Sequence, residues 1–227
     1  MAIYAVSREV CRWCAMALCC GIASFALTAS ANTDSGQQAQ EDAVKAPVPT
    51  RTLIWIQDPW SGGTVLTSFP PPDQSLWNAK KIKLYGEALK ADFPPPLGVL
   101  VISDLNIEVP IYNGTEEHIL DRGAGRIKGM AKMNENGNLG ISAHRDSFFR
   151  GLKDIALGDV VLVQSAYGVE KYEVTNINIV PKEDVSVLAP VDHKTLTLVT
   201  CYPFYHVGAA PQRFIVTALP VPDGIEE

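Results

Sequence analysis

Three separated places in this 227-residue chain carry side chains suited to acyl transfer. His144 stands in Gly140-Ile-Ser-Ala-His-Arg-Asp146, at the end of an apolar run. Cys201 closes the run Thr195-Leu-Thr-Leu-Val-Thr-Cys201, and Arg213 opens the last apolar run, Phe214 to Leu219. In acyl transfer a thiolate attacks a carbonyl, an imidazole manages the proton of the leaving amine, and a guanidinium steadies the oxyanion. Each group also has a plainer reading. A lone cysteine on an apolar strand is also a core filler, His144 beside two charges is also a solvated turn, and Arg213 is also a surface ion-pair partner. His206, five residues after Cys201, is a rival base within the same loop.

Strands must position these groups. Gly98–Ile102, Ile107–Tyr112, Leu139–Ala143, Val160–Gln164, Lys171–Val180, Thr195–Cys201 and Phe214–Leu219 are short, apolar and rich in β-branched residues. Asn113-Gly114, Gly158-Asp159 and Tyr167-Gly168 punctuate them as turns. Many short strands with few helices predict a small, mostly antiparallel barrel or sandwich. Side chains alternate along a strand, so Cys201 shares a face with Val199 and Thr197, and Arg213 shares one with Ile215 and Thr217. Both faces must be the one that forms the groove.

Composition narrows the classes. The chain is 47% hydrophobic and 19% charged, which suits a packed core. Its net charge is −6, and Leu97 to Pro220 holds 11 basic against 14 acidic residues, so there is no basic footprint for nucleic acid. Four of the five cysteines, Cys11, Cys14, Cys19 and Cys20, fall within the first twenty residues. The spacing Cys11-x-x-Cys14 lacks the second ligand pair of a structural metal site.

The amino terminus reads as a targeting segment. Arg8 and Arg12 precede an uncharged stretch, Trp13 to Ala31, that is long enough to cross a bilayer as a helix. It ends in Ala29-Ser30-Ala31, a pattern that a signal peptidase cuts. A retained anchor and a removed signal peptide are the two readings. The charge asymmetry places the rest of the chain outside the cytoplasm in both, in the membrane-anchored or the periplasmic or secreted form. Asn32 to Thr50 has little to bury and reads as a tether. Leu53–Ile56 is a short strand candidate, followed by a turn at Trp60-Ser-Gly-Gly63. Gln74 to Asp92, bracketed by two runs of three prolines, predicts an amphipathic helix through Trp77, Leu84, Tyr85 and Ala88. That helix lies on the following domain or on a membrane surface.

The motif Thr195-Leu-Thr-Leu-Val-Thr-Cys201, with Arg213 twelve residues later, closely resembles the signature of the sortases, cysteine transpeptidases of bacterial envelopes. Gly137 to Leu152 is similar to the segment that carries their histidine, and Cys201 to Phe214 resembles the class D branch and similar enzymes of Gram-negative bacteria. The resemblance covers Leu97 to Leu219. It implies a mostly β fold, an eight-stranded closed barrel with short helices, preceded by an apolar helix and a tether. The organisation that follows is 1–31 signal peptide or anchor, 32–96 tether and amphipathic segment, 97–220 catalytic barrel, and 221–227 tail.

Carried over by position, the resemblance implies Cys201 as nucleophile, His144 as general acid and base, Arg213 as stabiliser of the scissile carbonyl, and Thr200 as a lining residue of the oxyanion site. The implied reaction cleaves an LPXTG-like motif near a substrate's carboxyl terminus and passes the thioacyl group to an envelope amine. The implied partners are proteins bearing that motif, an amine acceptor, and the membrane through the amino-terminal helix. No cofactor is implied. Some sortases bind calcium through carboxylates beside the groove, but the spacing of Glu116, Glu117 and Asp121 does not establish a site, so calcium stays unassigned. No lid helix is expected between Cys201 and Arg213, where Pro203, Gly208 and Pro211 predict a short ordered loop. Two rivals compete with this reading. An L,D-transpeptidase places Ser and Gly around its nucleophile, unlike Thr200 and Tyr202 here, and a non-catalytic envelope barrel would need none of the three groups.

Overall fold

Each apolar run marked as a strand between Gly98 and Leu219 forms one, with boundaries displaced by three residues at most. A computed structural model describes residues 51–206 and 208–222, all within one compact unit. The readings for residues 1–50, including the apolar stretch, its cleavage point and the tether, lie outside the described residues. Among the described residues no helix is long and apolar enough to cross a membrane.

The described residues form ten strands: β1 (Thr52–Gln57), β2 (Thr64–Phe69), β3 (Gly98–Ile102), β4 (Ile107–Asn113), β5 (Ala124–Arg126), β6 (Asn138–Ser142), β7 (Val160–Ser165), β8 (Gly168–Pro181), β9 (Thr195–Tyr202) and β10 (Gln212–Pro220). The last eight close into a barrel in the order β10-β8-β7-β3-β4-β5-β6-β9, the architecture expected. Its interior is filled from every side. Leu100, Ile111, Ile141, Val161, Leu196, Leu198, Val216 and Ala218 all belong to one buried cluster. At about 25 cal/mol per Å² of apolar surface removed from water, such a core outweighs any single polar contact in the fold.

Two pairings are parallel within an otherwise antiparallel barrel: β4 with β5, and β6 with β9. The second matters for function, because parallel neighbours bring their carboxyl ends to the same rim. Asn138 pins its register. The Asn138 side chain accepts a 2.7 Å hydrogen bond from the Thr197 hydroxyl and donates to the carbonyls of Val187 and Ala189 just before β9.

β5 went unmarked in the sequence because Ala-Gly-Arg has no apolar alternation. It survives between β4 and β6 because Gly125 lets the chains approach: a Cβ there would lie 1.9 Å from the Gly114 carbonyl oxygen.

The segment preceding the barrel holds two strands and a helix between Thr52 and Ala88. β1 is the expected strand, slightly longer, and the Trp60–Gly63 turn returns the chain into β2, which was not foreseen. Ile56 and Phe69 bury against Val99 of β3. The amphipathic helix forms as α1 (Ala79–Ala88), capped by Asn78, whose side chain accepts from the Lys81 N–H at 2.9 Å. Of its two candidate locations, α1 takes the barrel. Trp77 and Tyr85 pack edge-to-face on Phe148, with centroids 5.1 and 5.9 Å away, in the main core cluster. A second short helix, α2 (Glu117–Leu120), bridges β4 and β5.

Candidate active site

Strand register alone brings Cys201 to Arg213. They are direct cross-strand partners in the β9–β10 pair, on the face opposite Leu198, Phe214 and Val216, which point into the barrel. This is the alternation expected from sequence, and the groove therefore lies on the outside of the barrel wall.

His144 arrives from the other side of β9. Ser142 pairs with Val199 in the parallel ladder, so His144 and Cys201, each two residues further, come level on the same face. The chain then turns sharply, with the amides of Ser147 and Phe149 both donating to the His144 carbonyl. Cys201, His144 and Arg213 together line one open cavity of about 510 Å³, with Lys81, Glu117 and Asp146 among its other walls. Cys201 is a free thiol and only partly buried.

Arg213 is half-buried, and its Nη1 donates to the carbonyls of Gln212 (3.0 Å) and Ala210 (3.3 Å). One corner of the guanidinium is thus fixed by the backbone, which aims the remaining donors. Arg145 braces the β9–β10 loop, its Nη2 donating to the carbonyls of His206 (2.9 Å) and Gly208 (3.0 Å). That loop contains no helix among the described residues, as expected, and it is anchored by Phe204, which packs on Phe214 at 5.2 Å. His206, the rival base, is exposed and is not among the cavity walls.

Thr200, which the resemblance implies as lining the oxyanion site, has a buried side chain. It is buried on the opposite face from Cys201, its hydroxyl donates to the Ala143 carbonyl at 2.7 Å, and it does not line the cavity. The bond ties the end of β9 to the residue before His144, which makes Thr200 a clamp between the two strands. Thr200→Val keeps the shape and removes the donor, so it is expected to cost about 2 kcal/mol. Calorimetry should read this as a Tm drop of roughly 4–8 °C in a chain of this size.

Three charged neighbours of His144 were not assigned to it from sequence. Its Nε2 lies 3.6 Å from Glu117 Oε1 and 3.7 Å from Asp121 Oδ1, and Asp121 Oδ1 in turn holds Lys81 Nζ at 3.1 Å. Burial pulls the His144 imidazole below its ordinary pKa and the Lys81 ammonium pushes it the same way, while Glu117, Asp146 and Asp121 act in opposition. Of the three carboxylates considered for calcium, Glu116 is paired with Lys128 and Asp121 with Lys81.

An outward-facing thiol, an imidazole and a guanidinium meet on the wall of a closed β-barrel, an arrangement suited to cysteine acyl transfer. The family model described as "Sortase domain" matches residues 100–221, more than half of the chain, and the chain belongs to the sortase family of cysteine transpeptidases. It is 39% identical over 132 residues to "Sortase D" of Bacillus subtilis (strain 168), a match covering 56% of this chain and 67% of that protein. Among solved structures it is similar to a lid mutant of sortase A from Corynebacterium diphtheriae (28% identity, TM-score 0.53, covering 61% of this chain and 76% of that one). It shares the fold of the Clostridium perfringens Sortase D5 transpeptidase (23% identity, TM-score 0.52, covering 65% and 92%). Family membership decides against the L,D-transpeptidase and the non-catalytic barrel.

Proposed function

We propose that the chain cleaves an LPXTG-like sorting signal near the carboxyl terminus of exported proteins and joins the upstream part to an envelope amine. The observation that carries this reading is the single cavity walled by Cys201, His144 and Arg213. In the first half, the Cys201 thiolate attacks the scissile carbonyl carbon and the His144 imidazolium gives its proton to the departing amine as the C–N bond breaks. Arg213 stabilises the negative charge that builds on the carbonyl oxygen. In the second half, an acceptor amine attacks the thioester carbonyl, the imidazole takes the amine's proton, and the thiolate leaves. Atoms balance with no cofactor.

The upstream basic residues Arg8 and Arg12, with Asp34, Glu41 and Asp42 after the apolar stretch, support a domain that works outside the cytoplasm, either anchored by that stretch or released by cleavage at Ala31. The test is a peptide library built on the sorting motif, incubated with the full chain and a panel of primary amines and read by mass spectrometry. Products that carry the added amine at the cleavage point are expected. Cleavage with water as the sole acceptor at every amine concentration would contradict transpeptidation, and an uncut library would contradict the substrate class.

A further inference from the structure

Lys81 belongs to α1, which precedes the region matched by the family model, yet its ammonium reaches the histidine's surroundings. Its side chain is 13% exposed and that of its partner Asp121 is 9% exposed, so water and salt screen this pair little. Asp121 Oδ1 is bonded to the Lys81 ammonium at 3.1 Å and lies 3.7 Å from His144 Nε2. That Nε2 is buried and has no hydrogen-bond partner. A carboxylate released from Lys81 needs to move less than about 1 Å to accept the imidazolium proton at normal hydrogen-bond length.

We propose that Lys81 is a positioning residue for His144: by holding Asp121 to itself, it keeps the carboxylate from capturing the imidazolium and leaves Nε2 free for proton transfer in the cavity. The proposal rests on His144 as the proton-transferring group. The charged and titratable groups around that imidazole are Lys81 from α1, Glu117 of α2 and Asp121 just after it, Arg145 and Asp146 of its own turn, and Cys201, Arg213 and Lys182 around the cavity. Of these, Lys81 disfavours the charged imidazole most, whereas Asp121 supports it least among the three carboxylates that do. Losing Lys81 therefore acts twice in one direction, removing a repelling cation and freeing an attracting anion.

The test follows the His144 titration by NMR in the full chain carrying Cys201→Ala, where no turnover is needed. The result thus stands or falls separately from transpeptidation. Lys81→Met is expected to raise the His144 midpoint by about one pH unit, and Lys81→Arg to leave it near the parent value. In chains with Cys201 intact, Lys81→Met should move the acid limb of the kcat/KM profile upward by the same amount. It should lower kcat about tenfold with KM within about twofold, and adding Asp121→Asn should restore most of kcat. A folded Lys81→Met chain with an unmoved His144 midpoint would overturn the proposal. If Lys81→Met does not fold because Asp121 is left buried and unpaired, Lys81→Met/Asp121→Asn removes both charges. Its midpoint is still expected above the parent's, and one equal to the parent's overturns the proposal.

Discussion

Alanine at position 201 is expected to reduce cleavage of a sorting peptide by roughly a million-fold, the order of loss that follows deletion of a covalent nucleophile. The fold should be indifferent to the change. Cys201 is partly exposed on the outer face of β9 and has no place in the barrel core, so Tm should stay within about 2–3 °C. The contrast between intact stability and lost turnover separates a reactive thiol from the core filler that the sequence also allowed. Substrate binding should persist, because the cavity's other walls are untouched. Activity of the alanine variant within tenfold of the parent would place the nucleophile elsewhere.

Arg213→Lys is expected to cost about 100-fold in kcat, comparable to losing an oxyanion donor, despite keeping the positive charge. The guanidinium does two tasks at once. Its Nη1 is committed to the carbonyls of Ala210 and Gln212, and its other donors remain for the substrate oxygen. An ammonium is a single compact point, unable to hold the loop carbonyls and reach the oxyanion in the same geometry. KM should change little, since the contribution lies in the transition state. A lysine variant with at least half of the parental kcat would show that charge alone suffices, and that the cross-strand pairing with Cys201 has no mechanistic meaning.

The central barrel was legible because its strands announce themselves through apolar, β-branched runs between turn dipeptides. Convergence of the three reactive groups was implied by the sortase-like motifs, and strand alternation added only which neighbours share a face with Cys201 and with Arg213. Cys201 and Arg213 needed only their register to meet. What stayed hidden depends on tertiary contact. β5 is three residues of Ala-Gly-Arg, stabilised by the neighbours on either side. α2 is a single turn of Glu-His-Ile-Leu, too short to declare a period, yet it and Asp121 just beyond it set two carboxylates beside His144. Lys81 gives no signal in sequence, because a lysine on an amphipathic helix looks like any solvated charge until the helix docks on Phe148. Thr200 is the opposite case, a residue with a sequence signal whose side-chain contact stayed hidden. The resemblance implied an oxyanion role for it, and period two turns its side chain to the buried side, where it clamps Ala143.

Turnover through a thioester requires that an acyl group come to rest on Cys201. Full-length chain mixed with a sorting peptide and quenched in acid should show, by intact mass and fragmentation, one acyl adduct located on Cys201. That adduct should disappear on addition of a primary amine and reappear as peptide joined to the amine. It should be absent when His144 or Cys201 is replaced by alanine. An adduct on any other residue, or cleavage at full rate with no thioester and no amine-linked product, would contradict it.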